Sequence, residues 1–334
     1  MSAKAKMMYL QEWAAESSAG ACMSAQAACW GINRSTHWRW TRRPKASAVR
    51  TPRLAQERVK AVVEIDARYR SSWDVRAIAH VTGVGKSSVA KILRAVRGPR
   101  PKAHEKPHNR RTRFLARDVM WSSDFVEQAD GRKLLKTLDE ASRFRLAWDL
   151  GNGERAAAVV RHARRLIERM GRTPLVWKYD HGSAFTGTAF QALLAEHDIA
   201  AYPIPPRAPW ANGRTERDHQ EINNWMAPVK DASGEVLEKE IDEGMLMLNF
   251  VKPRAVLDYK TSARVYFDDP GVSELKQIEF RKQLKAALAG SQDERLRRRA
   301  IRTILAELGL YEEWLQDEKK AGSVNRTYAS NVAN

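Results

Sequence analysis

The order of short apolar runs between residues 118 and 204 constrains the fold of this chain more than any other feature. Three strand-length runs follow one another and predict an antiparallel meander: 118–128, 133–142 and 143–151. Helical stripes and short apolar strands then alternate: a helix over 154–170, a strand over 174–179, a helix over 188–199 and a strand over 200–204. The sequence therefore predicts an α/β domain with the element order β-β-β-α-β-α-β.

The fourth predicted strand runs directly into an acid, in the stretch WKYDHGSAF at 177–185. A short apolar run closed by glycine is typical of a buried strand that ends at a turn, so we expect Asp180 at the carboxyl end of this strand. Ligands and catalytic groups collect at that end of open α/β sheets. The alternative is that Asp180 only caps the next helix.

A second acid, Asp124, lies in the first predicted strand. The element order, followed by one more helix, resembles that of ribonuclease H-like domains. In those domains the first and fourth strands run side by side. The resemblance therefore implies that Asp124 and Asp180 meet at one place in the sheet.

A third acid is expected on the helix that follows the last strand. The prolines before residue 212 exclude a helix there, whereas residues 214–225 can form one after the Asn212-Gly213 turn. Glu216 falls in the first turn of this helix, close enough to reach the sheet. Glu221 is the alternative, but it lies more than one turn later and points to a different face.

The spacing and the surroundings of these acids are specific. Asp124 and Asp180 are separated by 55 residues, and Asp180 and Glu216 by 35. The flanking motifs are W-x-x-D-F at 121–125, D-x-x-S-R at 139–143, D-x-G-x-x-F at 180–185, N-G-x-x-E at 212–216 and N-x-x-x-P-R-x-x-L-x-x-x-T-x-A within 248–267. On these motifs the chain resembles the DDE-type transposases of bacterial insertion sequences, members of the retroviral integrase superfamily.

The resemblance implies that Asp124, Asp180 and Glu216 are the catalytic and metal-binding residues. Three carboxylates packed together would repel one another by about 4 kcal/mol per pair at 4 Å and an effective dielectric constant of 20. Hard divalent cations with oxygen ligands relieve this repulsion. We therefore expect two Mg²⁺ ions, with Mn²⁺ as a substitute, to activate an attacking oxygen and stabilise the leaving one. Water would first cut the end of the element, and the released 3′-hydroxyl would attack target DNA.

Two positions depart from the family pattern. His181 stands where Asn commonly follows the second Asp, and Asn223 stands where many members carry a Lys or Arg that touches the DNA end. His181 and His219, which lies one turn beyond Glu216, are candidates for contacts around the three acids. The remaining acids of the domain are expected to be structural or solvated: Asp130, Asp139 and Asp149.

The positive charge of the chain is concentrated in its first third. Residues 1–112 carry 23 Lys and Arg against 7 Asp and Glu, a net charge of +16 out of the total of +18. Such an asymmetry indicates a polyanion partner, most simply double-stranded DNA. No apolar stretch has the roughly 18 residues of a spanning helix, the start has no long signal core, and Cys22 and Cys29 fit no usual zinc pattern. We expect a cytoplasmic, nucleoid-associated protein without a membrane partner.

A helix-turn-helix is predicted over residues 74–94. The stretch GVGKSS within it looks like a phosphate-binding loop, but His80 stands where that loop needs glycine. The apolar spacing predicts two helices joined at Gly83, which can adopt a positive φ. The alternative is an ordinary helical hairpin. The second helix would present five side chains to DNA: Lys86, Ser87, Ser88, Lys91 and Arg94.

An earlier segment, 25–43, repeats this spacing around Gly31 and Ile32. It predicts a first helix-turn-helix, with the alternative that the basic, aromatic run HWRWTRR is an arm that grips the DNA backbone. Its candidate DNA-contacting residues are Arg34, His37, Arg39, Arg42 and Arg43.

The predicted architecture is multidomain: α-helical N-terminal helix-turn-helix modules, an α/β ribonuclease H-like catalytic domain and an α-helical C-terminal region. The predicted boundaries are 1–45 and 46–97 for the two modules, 98–117 for a basic linker, 118–269 for the catalytic domain, 270–322 for the helical region and 323–334 for a disordered tail. Two helices are expected within 273–290 and 293–318, with apolar faces that either close the core or join protomers.

The function predicted from these features is that of a transposase, which binds the terminal inverted repeats of its element and catalyses strand cleavage and transfer into target DNA. Pairing two ends implies a homo-oligomer, at least a dimer. The alternative is a DNA-binding repressor whose ribonuclease H-like domain is a catalytically inert dimerisation scaffold. A structure-directed nuclease that acts on hybrids of RNA and DNA is a third hypothesis, against which the two predicted DNA readers argue.

Overall fold

Two compact units make up the chain, Met1–Val59 and Lys60–Asn334. The computed structural model describes six stretches: residues 8–14, 27–42, 55–98, 110–205, 212–229 and 231–315. Within these stretches, no helix is both long and apolar enough to span a bilayer. The domain boundaries predicted from the sequence stay predictions.

The helices account for most of the described chain. Residues 8–14 are helical. The labelled helices are α1 (Arg34–Arg42), α2 (Gln56–Arg68), α3 (Val75–Thr82), α4 (Lys86–Arg97), α5 (Ala156–Met170), α6 (Ser183–Thr186), α7 (Thr188–Glu196), α8 (Gly213–Met226), α9 (Gly234–Leu246), α10 (Ser262–Asp268), α11 (Glu274–Leu288) and α12 (Glu294–Glu307). One π-helical turn, Met247–Val251, continues α9.

A five-stranded mixed sheet lies in the second unit, in the order β4-β3-β2-β5-β6. The strands of the chain are β1 (Arg110–Phe114), β2 (Met120–Glu127), β3 (Lys133–Asp139), β4 (Arg145–Gly151), β5 (Val176–Tyr179), β6 (Ala200–Pro203) and β7 (Tyr311–Leu315). β2, β3 and β4 form the predicted antiparallel meander, while β5 runs parallel to both β2 and β6. The expectation that the first and fourth strands of the domain lie side by side is therefore confirmed.

Alternate side chains of β2 and β5 enter two cores on opposite faces of the sheet, because successive strand residues point to opposite sides. Trp121 and Trp177 belong to the core that α5 and α7 cover. Met120 and Val176 belong to the other core, which is closed by side chains of α11 and α12: Phe280, Ile301, Ile304 and Leu305. The C-terminal helices thus close the core, which is one of the two roles expected for their apolar face.

The end of the C-terminal region corrects one expectation. The sequence predicted a helix over 293–318, but α12 ends at Glu307 and Gly309 adopts a left-handed φ of 66° that a helix cannot continue. Residues 311–315 instead form β7, which pairs antiparallel with β1. β1 is basic and β7 is acidic, and Arg113 lies opposite Glu312, so cross-strand charge attraction favours the pairing.

β1 also changes the description of the basic linker predicted over 98–117. Its first residues, 99–109, lie outside the described stretches, whereas residues 110–114 are a strand. Phe114 is buried, and its ring centroid lies 5.3 Å from that of Tyr311. The end of the linker is therefore part of a folded core and not only a spacer.

Helices α3 and α4 form the helical pair predicted around Gly83. Asp74 caps α3 by accepting the N–H groups of Arg76 and Ala77 at 2.7 and 3.0 Å. Gly83 follows α3 with a φ of 65°, in the left-handed region that glycine adopts without strain. Five apolar side chains of the pair are buried: Ile78, Ala79, Val84, Val89 and Leu93. Val75 and Ile92, which the spacing placed on the same faces, are half-buried.

Candidate active site

Asp124 and Asp180 lie at the same edge of the sheet. Ser122 pairs with Lys178 in the parallel β2–β5 register, so each acid comes two residues after a paired position. Alternation along the strands places both acids on the face that carries Met120 and Val176. The Asp180 Oδ1 atom accepts the N–H of Gly182 at 3.0 Å, and a Cβ at position 182 would lie 3.0 Å from that oxygen. A larger residue at position 182 would therefore crowd the Asp180 carboxylate.

Asp124 is enclosed by donors and by a second acid. Its Oδ2 atom accepts a hydrogen bond from Asn212 Nδ2 at 2.9 Å, and its Oδ1 atom accepts the Phe125 N–H at 2.8 Å. The pKa of Asp124 is raised to about 6, and burial is the largest cause. The Asn212 hydrogen bond and the Lys136 charge oppose this shift, whereas the charge of Asp180 increases it. The two carboxyl groups are thus close enough to interact electrostatically.

Helix α8 brings its first turns against Asp124, and its predicted start after Asn212-Gly213 is confirmed. His219 Nε2 lies 3.7 Å from Asp124 Oδ2 and has no hydrogen-bond partner among the described residues. Burial, followed by the Lys136 charge, lowers the pKa of His219 to about 3, so the imidazole is neutral at physiological pH. Glu216 lies between Asn212 and His219 on this side of the helix, and its side chain is exposed.

The three predicted metal-binding acids do not form a closed cluster. Among the residues that the structure describes, no three His, Cys, Asp or Glu side chains lie close enough together to hold a metal ion. A physical reason is that three carboxylates without a cation repel one another, and Asn212 donates to the Asp124 oxygen. The donor set still suits a hard divalent cation, because Asp124, Asp180 and Glu216 offer only carboxylate oxygens.

Glu221, the alternative third acid, is buried among cations. Its carboxylate pairs with Arg254 Nη2 at 2.8 Å, Lys252 Nζ at 3.0 Å and Arg145 Nη2 at 3.1 Å. Burial alone would raise the pKa of Glu221, but these three cations hold it well below its usual range. Glu221 therefore has charge partners that Glu216 lacks, and Glu216 stays the better candidate for a metal ligand.

The other acids that the sequence set aside have partners of their own. Asp130 pairs with Arg132 in the turn between β2 and β3. Asp139 accepts the N–H and the hydroxyl of Ser142 at 2.8 and 2.6 Å. Asp149 pairs with two α5 side chains, His162 and Arg165.

The structure places the other predicted contact residues in different environments. Lys86, Ser87, Lys91 and Arg94 are exposed on α4, and Ser88 is half-buried. His181 lies beside Asp180 in the chain, with its Nε2 atom 3.9 Å from Glu294 Oε2. The side chains of Arg34, Arg39 and Arg42, and the whole of Arg43, lie outside the described part of the chain.

His37 corrects the prediction of a DNA contact. Its side chain is fully buried, its Nδ1 atom is hydrogen-bonded to the hydroxyl of Tyr9, and its ring centroid lies 4.5 Å from that of Trp13. Because a buried imidazole offers no atom to a DNA groove, we assign His37 to the core of the first unit.

Two residues of the site were missed in the sequence. Asn212 was interpreted only as part of a turn, although an amide at the start of a helix can donate to an acid nearby. Lys136 lies directly opposite Asp124 in the β2–β3 register. The hairpin turn between these strands fixes that register, so the pair could have been found by counting outward from the turn.

One segment of the chain is similar to a known protein family. Residues 116–209 match the family model of the integrase core domain. The match contains Asp124 and Asp180 and ends before Glu216. This segment is therefore similar to integrase core domains. A search of curated proteins gave no match.

Solved structures of integrases are similar to part of the chain. The catalytic core domain of BIV integrase is 20% identical, with 45% of this chain and 95% of that chain covered and a TM-score of 0.39. The HTLV-2 integrase catalytic core domain in complex with magnesium is 20% identical over 46% of this chain and 99% of that chain, with a TM-score of 0.39. The simian T-cell lymphotropic virus intasome in complex with PP2A regulatory subunit B56 gamma is 16% identical over 64% and 78%, with a TM-score of 0.44.

Proposed function

We propose that this protein is a transposase that binds the terminal inverted repeats of a mobile element and catalyses DNA strand cleavage and strand transfer. The observation that carries the proposal is the parallel pairing of β2 and β5, which brings Asp124 and Asp180 to one edge of the sheet beside the first turns of α8. The match of residues 116–209 to the integrase core domain supports it independently. An insertion-sequence origin rests on the motifs in the sequence.

In this proposal, Asp124, Asp180 and Glu216 hold two Mg²⁺ ions, or Mn²⁺ in their place. Bound ions would supply activation of the attacking oxygen and stabilisation of the leaving oxygen. The chain's own residues prepare the site for them. The rigid β2–β5 pair fixes two carboxylates, and the neutral His219 can approach a phosphate or a carboxylate without adding a positive charge. Glu216, which is exposed at the edge of the site, is free to turn toward the other two acids.

The DNA partner is assigned to the basic first third of the chain. The exposed residues of α4 offer two lysines and an arginine from one helix, which suits contacts with phosphates and base edges. We propose that α3 and α4 form a helix-turn-helix reader of the repeats, and that two or more copies of the chain pair the two ends of the element.

The experiment is metal-dependent nicking of a supercoiled plasmid that carries the element's ends, with Asp124→Asn as the control. The parent protein should nick with Mg²⁺ or Mn²⁺, and the variant should not. Strand transfer of a labelled end oligonucleotide into the plasmid should follow the same pattern. A random end of equal length should be a poorer substrate.

A repressor with an inert ribonuclease H-like domain is the second candidate. The observation in its favour is that Glu216 is exposed while Asn212 donates to Asp124, so the described residues form no three-acid cluster. It predicts tight, sequence-specific binding to the repeats and no catalysis. If the parent protein nicks no faster than Asp124→Asn, the repressor function stands.

A further inference from the structure

Helix α8 also carries two buried acids beyond its first turn, Asp218 and Glu221, which are 5% and 9% exposed. Asp218 pairs with Lys136 and Arg145. Glu221 pairs with Arg145 and with two cations from the segment after α9: Lys252 and Arg254. Lys252 Nζ also donates to the carbonyl oxygen of Ser72 at 2.8 Å, so this cluster reaches the segment that precedes α3.

Stability alone does not account for this cluster. Four buried cations face two acids, and Arg145 Nε and Nη1 have no hydrogen-bond partner among the described residues. Buried ion pairs stabilise a fold little compared with well-packed apolar side chains, because removing the charges from water costs about as much as their attraction returns. Their best-attested role is to fix one geometry among several. In this protein the geometry they fix is that of α8.

The rotation of α8 about its axis decides where Glu216 lies. At about 100° per residue, Asn212 and His219 lie about 40° and about 60° from Glu216 around the helix axis, in the same direction, whereas Glu221 lies about 140° away in the other direction. Side-chain ends stand about 5–6 Å from a helix axis, so a rotation of about 20° would move the Glu216 carboxylate by about 2 Å. Misplacement of a reacting group by about 1 Å can reduce a rate by about 10²-fold.

We propose that Glu221 is a positioning residue: held by Arg145, Lys252 and Arg254, it sets the rotation of α8 so that Glu216 can join Asp124 and Asp180. This inference rests on the proposed function and extends it to a residue that touches neither metal nor DNA. Glu221 gives a cleaner test than Asp218, because the partner of Asp218, Lys136, also acts on the charge of Asp124.

The first test is the Glu221→Gln variant of the full chain, which keeps the shape of the side chain and removes its charge. We expect kcat for nicking to fall about 10–100-fold and the Mn²⁺ dissociation constant to rise by a similar factor, while KM for DNA stays within about twofold. The matched control is Glu243→Gln, an acid of α9 that is half-exposed and lies 4.0 Å from Lys239. It should leave all three quantities unchanged.

The double variant Glu216→Gln, Glu221→Gln separates positioning from a general loss of folded protein. Because Glu221 acts through Glu216, the double variant should bind Mn²⁺ no more weakly than Glu216→Gln alone. Isothermal titration calorimetry measures both constants. If the two increases in the dissociation constant multiply, Glu221 acts independently of Glu216 and the inference is overturned.

Two further outcomes are informative. If circular dichroism shows that Glu221→Gln is unfolded, the same titrations are made on Glu221→Asp, which keeps the charge on a shorter side chain; wild-type Mn²⁺ affinity and kcat there would overturn the inference. A parent protein that neither binds Mn²⁺ nor nicks DNA contradicts the proposed function instead. Where Glu221→Gln folds, its crystal structure tests the inference directly: a rotated α8 supports positioning, and an unrotated α8 with an intact Asn212–Asp124 hydrogen bond overturns it.

Discussion

The parallel strands β2 and β5 carry acids at both ends of their pairing, and the two ends differ in how the acids are satisfied. At the amino end, Asp118 Oδ1 accepts hydrogen bonds from Trp121 Nε1 and from the Tyr266 hydroxyl, both at 2.8 Å. Its Oδ2 atom lies 3.3 Å from Arg172 Nε and 3.7 Å from Arg117 Nη1. At this end each oxygen of Asp118 has a donor or a cation within reach.

The carboxyl end is less well satisfied. Asp124 has a neutral amide donor, a backbone N–H and a nearby acid, Asp180. The cation that acts on it, Lys136, is paired with Asp218. His219 Nε2 approaches it without a partner of its own among the described residues. The neighbouring acid and the unpartnered imidazole nitrogen are unfavourable in a site that serves only the fold, and both suit a site that a cation completes.

The pKa alone would not separate the two ends. Burial raises the pKa of Asp124 to about 6 and that of Asp139, at the amino end, to about 7. Asp139, however, accepts three hydrogen bonds, from the Asp118 N–H and from the N–H and hydroxyl of Ser142. The comparison teaches that a raised pKa marks burial, and that the count of donors distinguishes a structural acid from a candidate ligand.

The largest expected effect comes from replacing one acid at each end of the β2–β5 pair by asparagine. Asp124→Asn should reduce metal-dependent nicking by at least about 10³-fold, or about 4 kcal/mol of transition-state stabilisation, because an amide is a poor ligand for Mg²⁺. Asp118→Asn should retain nicking within about threefold per folded molecule. Initial nicking rates, normalised to the folded fraction, measure both. Equal losses in the two variants would show that the ends do not differ in function.

For the same two variants, the order should be reversed when stability is measured: Asp118→Asn should lose more stability than Asp124→Asn. Asp118→Asn leaves Arg117 and Arg172 beside a neutral amide, so the free energy of unfolding should fall by about 3 kcal/mol. Asp124→Asn removes the repulsion with Asp180 and should not lower stability at pH 7 without metal. Urea unfolding followed by circular dichroism gives both values. A more stable Asp118→Asn would mean that this end, too, is strained for function.

The raised pKa of Asp124 predicts a pH dependence in metal-free protein. A carboxyl whose pKa is about 6 in the folded protein, against 3.8 for a solvated aspartate, stabilises the fold below about pH 4 and loses that contribution as pH rises through 6. The unfolding free energy of the wild type should therefore fall, relative to Asp124→Asn, by about 2–3 kcal/mol between pH 4 and pH 7. Urea unfolding at both pH values measures the difference. A difference that is flat with pH would contradict the assignment.

Mg²⁺ supplies the control for this prediction. A cation binds the ionised carboxylates, so Mg²⁺ should restore stability to the wild type near pH 7 and have no effect on Asp124→Asn. Restoration in both proteins would place the bound ion elsewhere.

The sequence was sufficient for the strands and helices of the sheet domain, because these depend on local patterns, whereas the metal-binding role of the three acids stays a prediction. Alternation of apolar residues and the ADG turn fix the register of β2 and β3. The resemblance of the element order to ribonuclease H-like domains implied that β2 lies beside β5 and that Asp124 and Asp180 meet, and the β2–β5 pairing agrees with it.

Contacts between distant segments could not be predicted in the same way. The pairing of β1 with β7 joins residues about 200 positions apart, and the basic β1 sequence looked like a linker. The burial of His37 depends on Tyr9, and the cations around Glu221 come from β4 and from residues after α9. Such partners are chosen by tertiary packing, for which a single sequence carries no periodic signal.

The smallest predicted effect concerns the excess of cations around Asp118 at the amino end of the β2–β5 pair. Arg172 is 35% exposed in its side chain, pairs with Asp118 and lies 5.5 Å from the centre of the Tyr266 ring. Arg117 lies 5.4 Å from the same ring and remains to balance Asp118 when Arg172 is removed. Arg172→Gln should therefore lower the free energy of unfolding by about 1 kcal/mol, against about 3 for Asp118→Asn.

The matched control is Arg164→Gln, whose pair with Glu196 is half-exposed on both sides and should contribute less than about 0.5 kcal/mol. Urea unfolding of the three variants should give the order Asp118→Asn, Arg172→Gln, Arg164→Gln. If Arg172→Gln costs as much as Asp118→Asn, the two arginines do not share the acid. The balance of charge on Asp118 would then depend on Arg172 alone.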